Sequence, residues 1–204
     1  MTKGLTTNYL LCKTYNLKAG EIVLFHAAAG GVGLIASQWA KSIGAKMIGT
    51  VSTDEKASLA KQNGCEFTVN YKQNDVHSSV LKLTNNEGVN VVYDGVGKDT
   101  FDISLKCLKF RGLMVSFGQS SGMVNDVNLH STFNPKSLYY TRPTLMHYIR
   151  NSEELMKCSN KLFSKIKNKE IKPNIFKKFK LSEASQAHEL IQSRNSVGSI
   201  ILCP

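Results

Sequence analysis

The stretch HAAAGGVGLIASQWAKSIGAK, residues 26–46, places three glycines in four positions between an apolar run and an amphipathic segment. The run before it, IVLFHA at residues 22–27, predicts a buried strand, and residues 33–43 predict a helix. A glycine-rich turn that joins a strand to a helix is typical of phosphate-binding sites, because the amino end of the helix offers N–H groups and a partial positive charge. The turn therefore predicts a nucleotide site.

Short β-branched runs alternate with helix-like segments from Glu21 onward. Strands and helices that alternate at these lengths predict a parallel sheet with right-handed crossovers. We therefore predict an α/β fold with a doubly wound, Rossmann-like parallel sheet. The predicted strands are residues 22–27, 45–51, 66–71, 90–97 and 112–118, and the predicted helices are residues 33–43, 54–63, 75–84 and 99–108.

The two ends of the chain fit this sheet less well. Residues 1–17 predict a helix that leads into the first strand, and we assign residues 1–172 to the dinucleotide-binding domain. Residues 173–204 predict a strand, a helix and a final strand that have no place in the first sheet. We expect this C-terminal segment to belong to an incomplete second domain.

The glycine turn follows the dinucleotide fingerprint G-x-G-x-x-G, except that Ala28 stands where the first glycine is usual. Gly30 lets the backbone approach a pyrophosphate, and Gly33 lets the helix pack closely on the strand. The turn follows a predicted buried strand and lies within repeated βα units, and this position strengthens the prediction of a dinucleotide-binding site. No Gly-Lys-Ser/Thr follows, which excludes the phosphate loop of nucleotide triphosphatases.

The end of the second predicted strand indicates which dinucleotide is bound. An NAD site usually has a carboxylate there, but this strand ends with Val51 and Ser52. Ser52 can donate a hydrogen bond, Lys56 can supply a positive charge, and Tyr71 can close the same pocket. The missing acid and these three residues favour NADP.

Six segments together resemble the quinone oxidoreductases of the medium-chain dehydrogenase/reductase superfamily, the group that includes zeta-crystallin. The resemblance extends over essentially the whole chain. It implies NADPH as cofactor, a quinone or related small electrophile as substrate, no zinc, and a homodimer with subunit contacts in LYYTRPTL. The segments are HAAAGGVGLIASQWAK, GTVSTDEK, VNY, VVYDGVG, RGLMVSFGQSSG and LYYTRPTL.

Carried over position by position, the resemblance implies cofactor contacts at several places in the chain. The pyrophosphate lies on the glycine turn, and the 2′-phosphate lies against Ser52, Lys56 and Tyr71. Phe117 and Gly118 lie by the nicotinamide half. The implied cofactor contacts are Thr6, Ala29, Gly30, Gly31, Val32, Gly33, Ser52, Lys56, Tyr71, Phe117, Gly118 and Arg194.

The resembled enzymes begin with a catalytic domain that forms the other wall of the cleft, and this chain begins where that domain ends. We therefore expect a truncated chain that holds NADPH and assign it no catalytic residue. His26 is expected to pack beneath the turn, and Asp94 to order the turn after the fourth strand. The five histidines and five cysteines show no spacing typical of a metal site.

Composition leaves two alternatives to quinone reduction open. The formal charge of +11 fits a solvated helix face better than a nucleic-acid site, because the lysines of residues 161–180 are interleaved with Leu162, Phe163, Ile166 and Ile171. A catalytically silent dinucleotide- or RNA-binding module nevertheless remains an alternative, as does an enoyl or alkenal reductase.

No apolar run is long enough to span a membrane, and the scattered cysteines fit reduced thiols, so we expect a cytoplasmic protein.

Overall fold

A computed structural model describes residues 1–193 and 196–204. Its centre is a six-stranded sheet in the order 3-2-1-4-5-6, in which every neighbouring pair is parallel. This is the doubly wound order in which a dinucleotide binds where the strand order reverses, so the predicted fold class is confirmed. The strands are β1 Ile22–Phe25, β2 Lys46–Val51, β3 Phe67–Asn70, β4 Val89–Asp94, β5 Leu108–Ser116 and β6 Tyr139–Thr141.

Helices cover both faces of this sheet, which is why its strands are apolar without alternation. In β1, Val23 and Phe25 face the layer that contains α1, α2 and α7, whereas Leu24 faces α4 and α5. All three side chains are almost completely buried. The helices are α1 Thr2–Tyr9, α2 Gly31–Ile43, α3 Asp54–Gln62, α4 Val76–Leu83, α5 Phe101–Cys107, α6 Leu129–Phe133, α7 Ser152–Lys167 and α8 Ala184–Gln192.

The leading helix is shorter than predicted and changes its winding. Helix α1 ends at Tyr9 and continues as a π-helical turn, Leu10–Thr14. It packs against α2 and α7, and Gly4 permits this because a Cβ there would lie 2.5 Å from Leu162 Cδ2. The first residues of the chain are thereby held close to the start of α2.

The sixth strand was not predicted. Strand β6 lies within LYYTRPTL, where we expected subunit contacts, and it forms one edge of the sheet beside β5. Tyr139 and Tyr140 are 63% and 42% exposed, so the strand lacks the buried apolar character that revealed the other five.

The C-terminal segment forms its own two-stranded parallel sheet, with β7 Ile175–Lys180 and β8 Ser199–Cys203 joined through α8. The predicted order of strand, helix and strand is thus confirmed. The assignment of residues 173–204 to a second domain stays a prediction.

One expectation about the basic segment is wrong. Leu162 and Ile171 are buried as expected, but Phe163 is 52% exposed. Helix α7 ends at Lys167, and Phe163 follows Leu162 by about 100° of helical rotation, which turns its ring away from the core.

Candidate functional site

The glycine turn joins β1 to α2 through a tight backbone path. Ala27 adopts a positive φ of 55°, and the Gly30 N–H donates to the Ala27 carbonyl at 2.9 Å. The first i→i−4 bond of α2 runs from the Leu34 N–H to the Gly30 carbonyl, also at 2.9 Å. The N–H groups of Val32 and Gly33 precede this bond and therefore point out of the helix towards the mouth of the turn.

Gly33 is required by the closeness of the helix to the end of the strand. A Cβ at this position would lie 2.7 Å from the Ala27 carbonyl oxygen and 2.5 Å from that of Ala28. Both contacts are with backbone, so they cannot be relieved by rotating a side chain. Gly33 therefore lets α2 begin directly above β1.

A buried polar network lies beneath the turn and includes His26, as expected. Its Nδ1 lies 3.0 Å from Thr50 Oγ1 and its Nε2 lies 2.9 Å from Ser104 Oγ. Ser104 donates its only proton to Asp94, so Nε2 donates to Ser104 and Nδ1 accepts from Thr50. Burial lowers the pKa of His26, with the nearby charge of Asp94 opposing this shift, and the ring is therefore neutral.

Asp94 orders the turn after β4, in agreement with the prediction. Its Oδ1 accepts from the N–H groups of Val96 at 2.7 Å and Gly97 at 3.0 Å. Its Oδ2 accepts from Thr100 Oγ1 at 2.7 Å and Ser104 Oγ at 2.8 Å. The carboxylate is fully buried, and these four donors account for its place in the interior without a catalytic role.

A basic pocket lies at the ends of β2 and β3, next to the glycine turn. Lys56 Nζ donates to Ser52 Oγ at 3.3 Å, and the Tyr71 N–H donates to the Val51 carbonyl at 3.1 Å. Tyr71 is 50% exposed beside them. Partial burial and the nearby charge of Lys72 both lower the pKa of Lys56. Two neighbouring ammonium groups and a hydroxyl form a site suited to a phosphate dianion.

Lys72 was missed by the sequence analysis. It is exposed and follows Tyr71 directly, and a single lysine at such a position gives no indication in the sequence that it belongs to a binding site. Only the pairing of β3 with β2 brings its charge near enough to Lys56 to lower the pKa of that lysine.

Phe117 and Gly118 follow β5 and lie against the turn that Asp94 orders. The Phe117 N–H donates to the Asp94 carbonyl at 2.8 Å, and the Phe117 ring lies 5.7 Å from that of Phe25. A Cβ on Gly118 would lie 2.5 Å from the Gly95 carbonyl oxygen. The carboxyl ends of β4 and β5 therefore pack together, on the same side of the sheet as the glycine turn.

Thr6 and Arg194 are the remaining predicted cofactor contacts. Thr6 lies in α1, partly buried, on the helical face that Lys3 shares one turn earlier. Arg194 lies outside the described residues. The structure therefore brings the glycine turn, the basic pocket and Phe117 together at the carboxyl ends of the parallel strands, with α1 packed beside them.

Residues 1–193 and 196–204 contain neither a cluster of metal ligands nor a membrane-spanning helix. No group of three or more His, Cys, Asp or Glu side chains is arranged to hold a metal ion. No helix there is both long enough and apolar enough to cross a bilayer.

Known proteins resemble this chain closely in sequence and in fold. The family profile of zinc-binding dehydrogenases matches residues 31–165. A quinone oxidoreductase from Pseudomonas aeruginosa is 50% identical over 204 residues, which cover 100% of this chain and 63% of that protein. A 2-haloacrylate reductase from Burkholderia is 43% identical over 205 residues, which cover 100% of this chain and 62% of that protein.

A crystal structure of the Escherichia coli quinone oxidoreductase complexed with NADPH superposes with a TM-score of 0.97 at 52% identity. The match covers 100% of this chain and 63% of that one. The chain thus spans about 63% of the length of the relatives that it matches.

Proposed function

The chain belongs to the zinc-binding dehydrogenase family, and on that premise we propose that it is the NADPH-binding part of a quinone reductase. The observation that carries the proposal is the basic pocket beside the glycine turn. Lys56 and Ser52 are hydrogen-bonded where an NAD-selective site has a carboxylate, and Lys72 adds a second positive charge.

The residues of the site fit the cofactor in three regions. The N–H groups of Val32 and Gly33, at the amino end of α2, bind the pyrophosphate. Lys56 and Ser52 bind the 2′-phosphate. Phe117 shields the nicotinamide end from water through its apolar ring, which packs on Phe25. When bound, NADPH supplies a hydride to the electron acceptor.

The acceptor that we propose is a quinone, with an activated alkene as the second candidate. The similarity to a quinone oxidoreductase at 50% identity favours the first, and the similarity to a 2-haloacrylate reductase at 43% favours the second. Both are electron-poor π systems, which accept a hydride from NADPH and are then protonated by water. We propose that the other wall of the cleft is formed by the part of the relatives' length that the 204 residues do not match.

Cofactor selectivity tests the proposal directly. We expect calorimetry to show NADPH binding to this chain at least tenfold more tightly than NADH. Lys56→Met should weaken NADPH binding by about tenfold to a hundredfold and change NADH binding less than twofold, because only NADPH carries the 2′-phosphate. Lys61→Met is the matched control, since Lys61 is an exposed lysine near the other end of α3.

The outcomes separate the proposal from its rival. Equal affinity for the two cofactors, or no heat from either with folded protein, would refute NADPH selectivity. RNA binding that weakens steeply with salt and persists in saturating NADPH would instead favour the nucleic-acid module. If NADPH does bind, oxidation of NADPH in the presence of a quinone or of 2-chloroacrylate distinguishes the two acceptors.

Assembly and location are proposed on separate grounds. We propose a homodimer that forms through β6, because this strand exposes two tyrosines and, among the described residues, has no strand on its outer side. We propose that residues 173–204 belong to the second domain. The five cysteines, all free in the described residues, fit a reducing compartment, and we propose the cytoplasm.

A further inference from the structure

Lys3 lies against the glycine turn, although it is 28 positions earlier in the sequence. Its Cδ and Nζ atoms both come within 2.5 Å of where a Cβ on Gly31 would stand. The absence of a side chain at Gly31 therefore leaves the space that the end of Lys3 occupies. Helix α1 therefore supplies a cation to the turn from which the first N–H groups of α2 point outwards.

The ammonium of Lys3 is only weakly satisfied by the protein. It donates to the Gly198 carbonyl at 3.4 Å, which is long for a charged donor. Within the described residues Lys3 forms no ion pair with a carboxylate; the ion pairs there are Arg150–Glu154 and Lys165–Glu170. Lys3 is also partly buried, and desolvation lowers its pKa. A desolvated ammonium with spare donors is costly unless an anion binds it.

We propose that Lys3 binds the pyrophosphate of the dinucleotide, as a positioning cation that closes the glycine turn from the side of α1. This inference rests on the proposed function, because it assumes that a dinucleotide occupies the turn. It adds a residue to the site and separates two roles. Lys56 discriminates between NADPH and NADH, whereas Lys3 contributes equally to both, since both cofactors carry the same pyrophosphate.

Substitution of Lys3 tests this division. Lys3→Met keeps most of the stem and removes the charge, and we expect NADPH and NADH binding to weaken by the same factor, about tenfold to a hundredfold. Lys3→Arg keeps the charge and should retain more of the affinity for both cofactors than Lys3→Met. Lys46→Met is the matched control, because exposed Lys46 lies at the amino end of β2, whereas the glycine turn follows the carboxyl end of β1.

Protection from acetylation tests the same contact in the unsubstituted chain, so that a poorly folded variant does not decide the question. We expect saturating NADPH or ADP-ribose to slow acetylation of Lys3 at least fivefold, read by mass spectrometry, and to leave Lys46 unchanged. The protection factor should be the same for both ligands, because both contain the pyrophosphate.

The outcomes distinguish this inference from the proposed function. If the unsubstituted chain binds NADPH but Lys3→Met binds both cofactors as tightly as Lys46→Met does, the inference is overturned and the proposed function stands. Unchanged acetylation of Lys3 in saturating NADPH also overturns it. If the unsubstituted chain binds neither cofactor, both proposals fail.

Discussion

Asp94→Ala should destabilise the chain by about 4 kcal/mol, because it removes the acceptor of four buried hydrogen bonds. Two donors are the backbone N–H groups of Val96 and Gly97, which cannot reorient, and each costs about 1–3 kcal/mol when left unpaired. The hydroxyls of Thr100 and Ser104 can rotate to other acceptors, so they add less. The sum is centred near 4 kcal/mol, within the range found when a buried charged network is broken.

Asp94→Asn provides a sharper comparison. Its carbonyl oxygen can still accept from the two N–H groups, while its NH₂ group donates to the two hydroxyl oxygens after they rotate. We expect a loss of about 1 kcal/mol for Asn against about 4 kcal/mol for Ala. Asp99→Ala removes the same charge from an exposed position and should cost less than about 0.5 kcal/mol.

Urea unfolding followed by circular dichroism measures these differences. With a slope of about 2 kcal/mol per molar urea, Asp94→Ala should lower the midpoint by about 2 M relative to the unsubstituted chain. The reasoning is refuted if Asp94→Ala is as stable as Asp99→Ala, or if Asn costs as much as Ala.

Two further predictions concern pH and assembly. The pKa of His26 is lowered in the folded state, so its contribution to stability is present above the unfolded pKa of about 6.5 and is lost as pH falls below it. The free energy of unfolding should therefore fall from pH 7 to pH 5, with a steeper slope than in His26→Gln; parallel slopes would contradict this. For assembly, light scattering should give twice the 22.5 kDa of one chain, and Tyr139→Lys should yield monomers. Met156→Lys, at another exposed apolar position, should leave the dimer intact, and a monomeric unsubstituted chain would rule out the β6 interface.

The predictable part of the fold is the part whose strands are buried on both faces. Runs such as IVLF in β1 and VVY in β4 are apolar without interruption because helices cover both sides of the sheet. Strand β6 was not predicted because it has only three residues and neither of its tyrosines is buried. An edge strand of this kind carries no periodic signal over so short a length.

The predictable part of the site is local in sequence. The glycine turn and the Ser52–Lys56 pair each lie within a few consecutive residues, because Ser52 comes two residues before α3 and Lys56 lies in the first turn of that helix. Lys3 and Lys72 reach the site only through tertiary packing: α1 packing on α2 in one case, and β3 pairing with β2 in the other. No spacing rule connects residue 3 with residue 31.

The backbone contact between the residue before β8 and the glycine turn couples the two segments, so we expect them to unfold locally together. An isolated two-stranded sheet is marginally stable in water, so β7 and β8 depend on contacts outside themselves. One such contact is the bond from the Gly198 N–H to the Ala29 carbonyl at 3.1 Å, within a backbone bridge between Gly198 and Gly30. A ligand that binds the turn thereby disfavours fraying of the C-terminal strand, and fraying of that strand weakens binding at the turn by the same free energy.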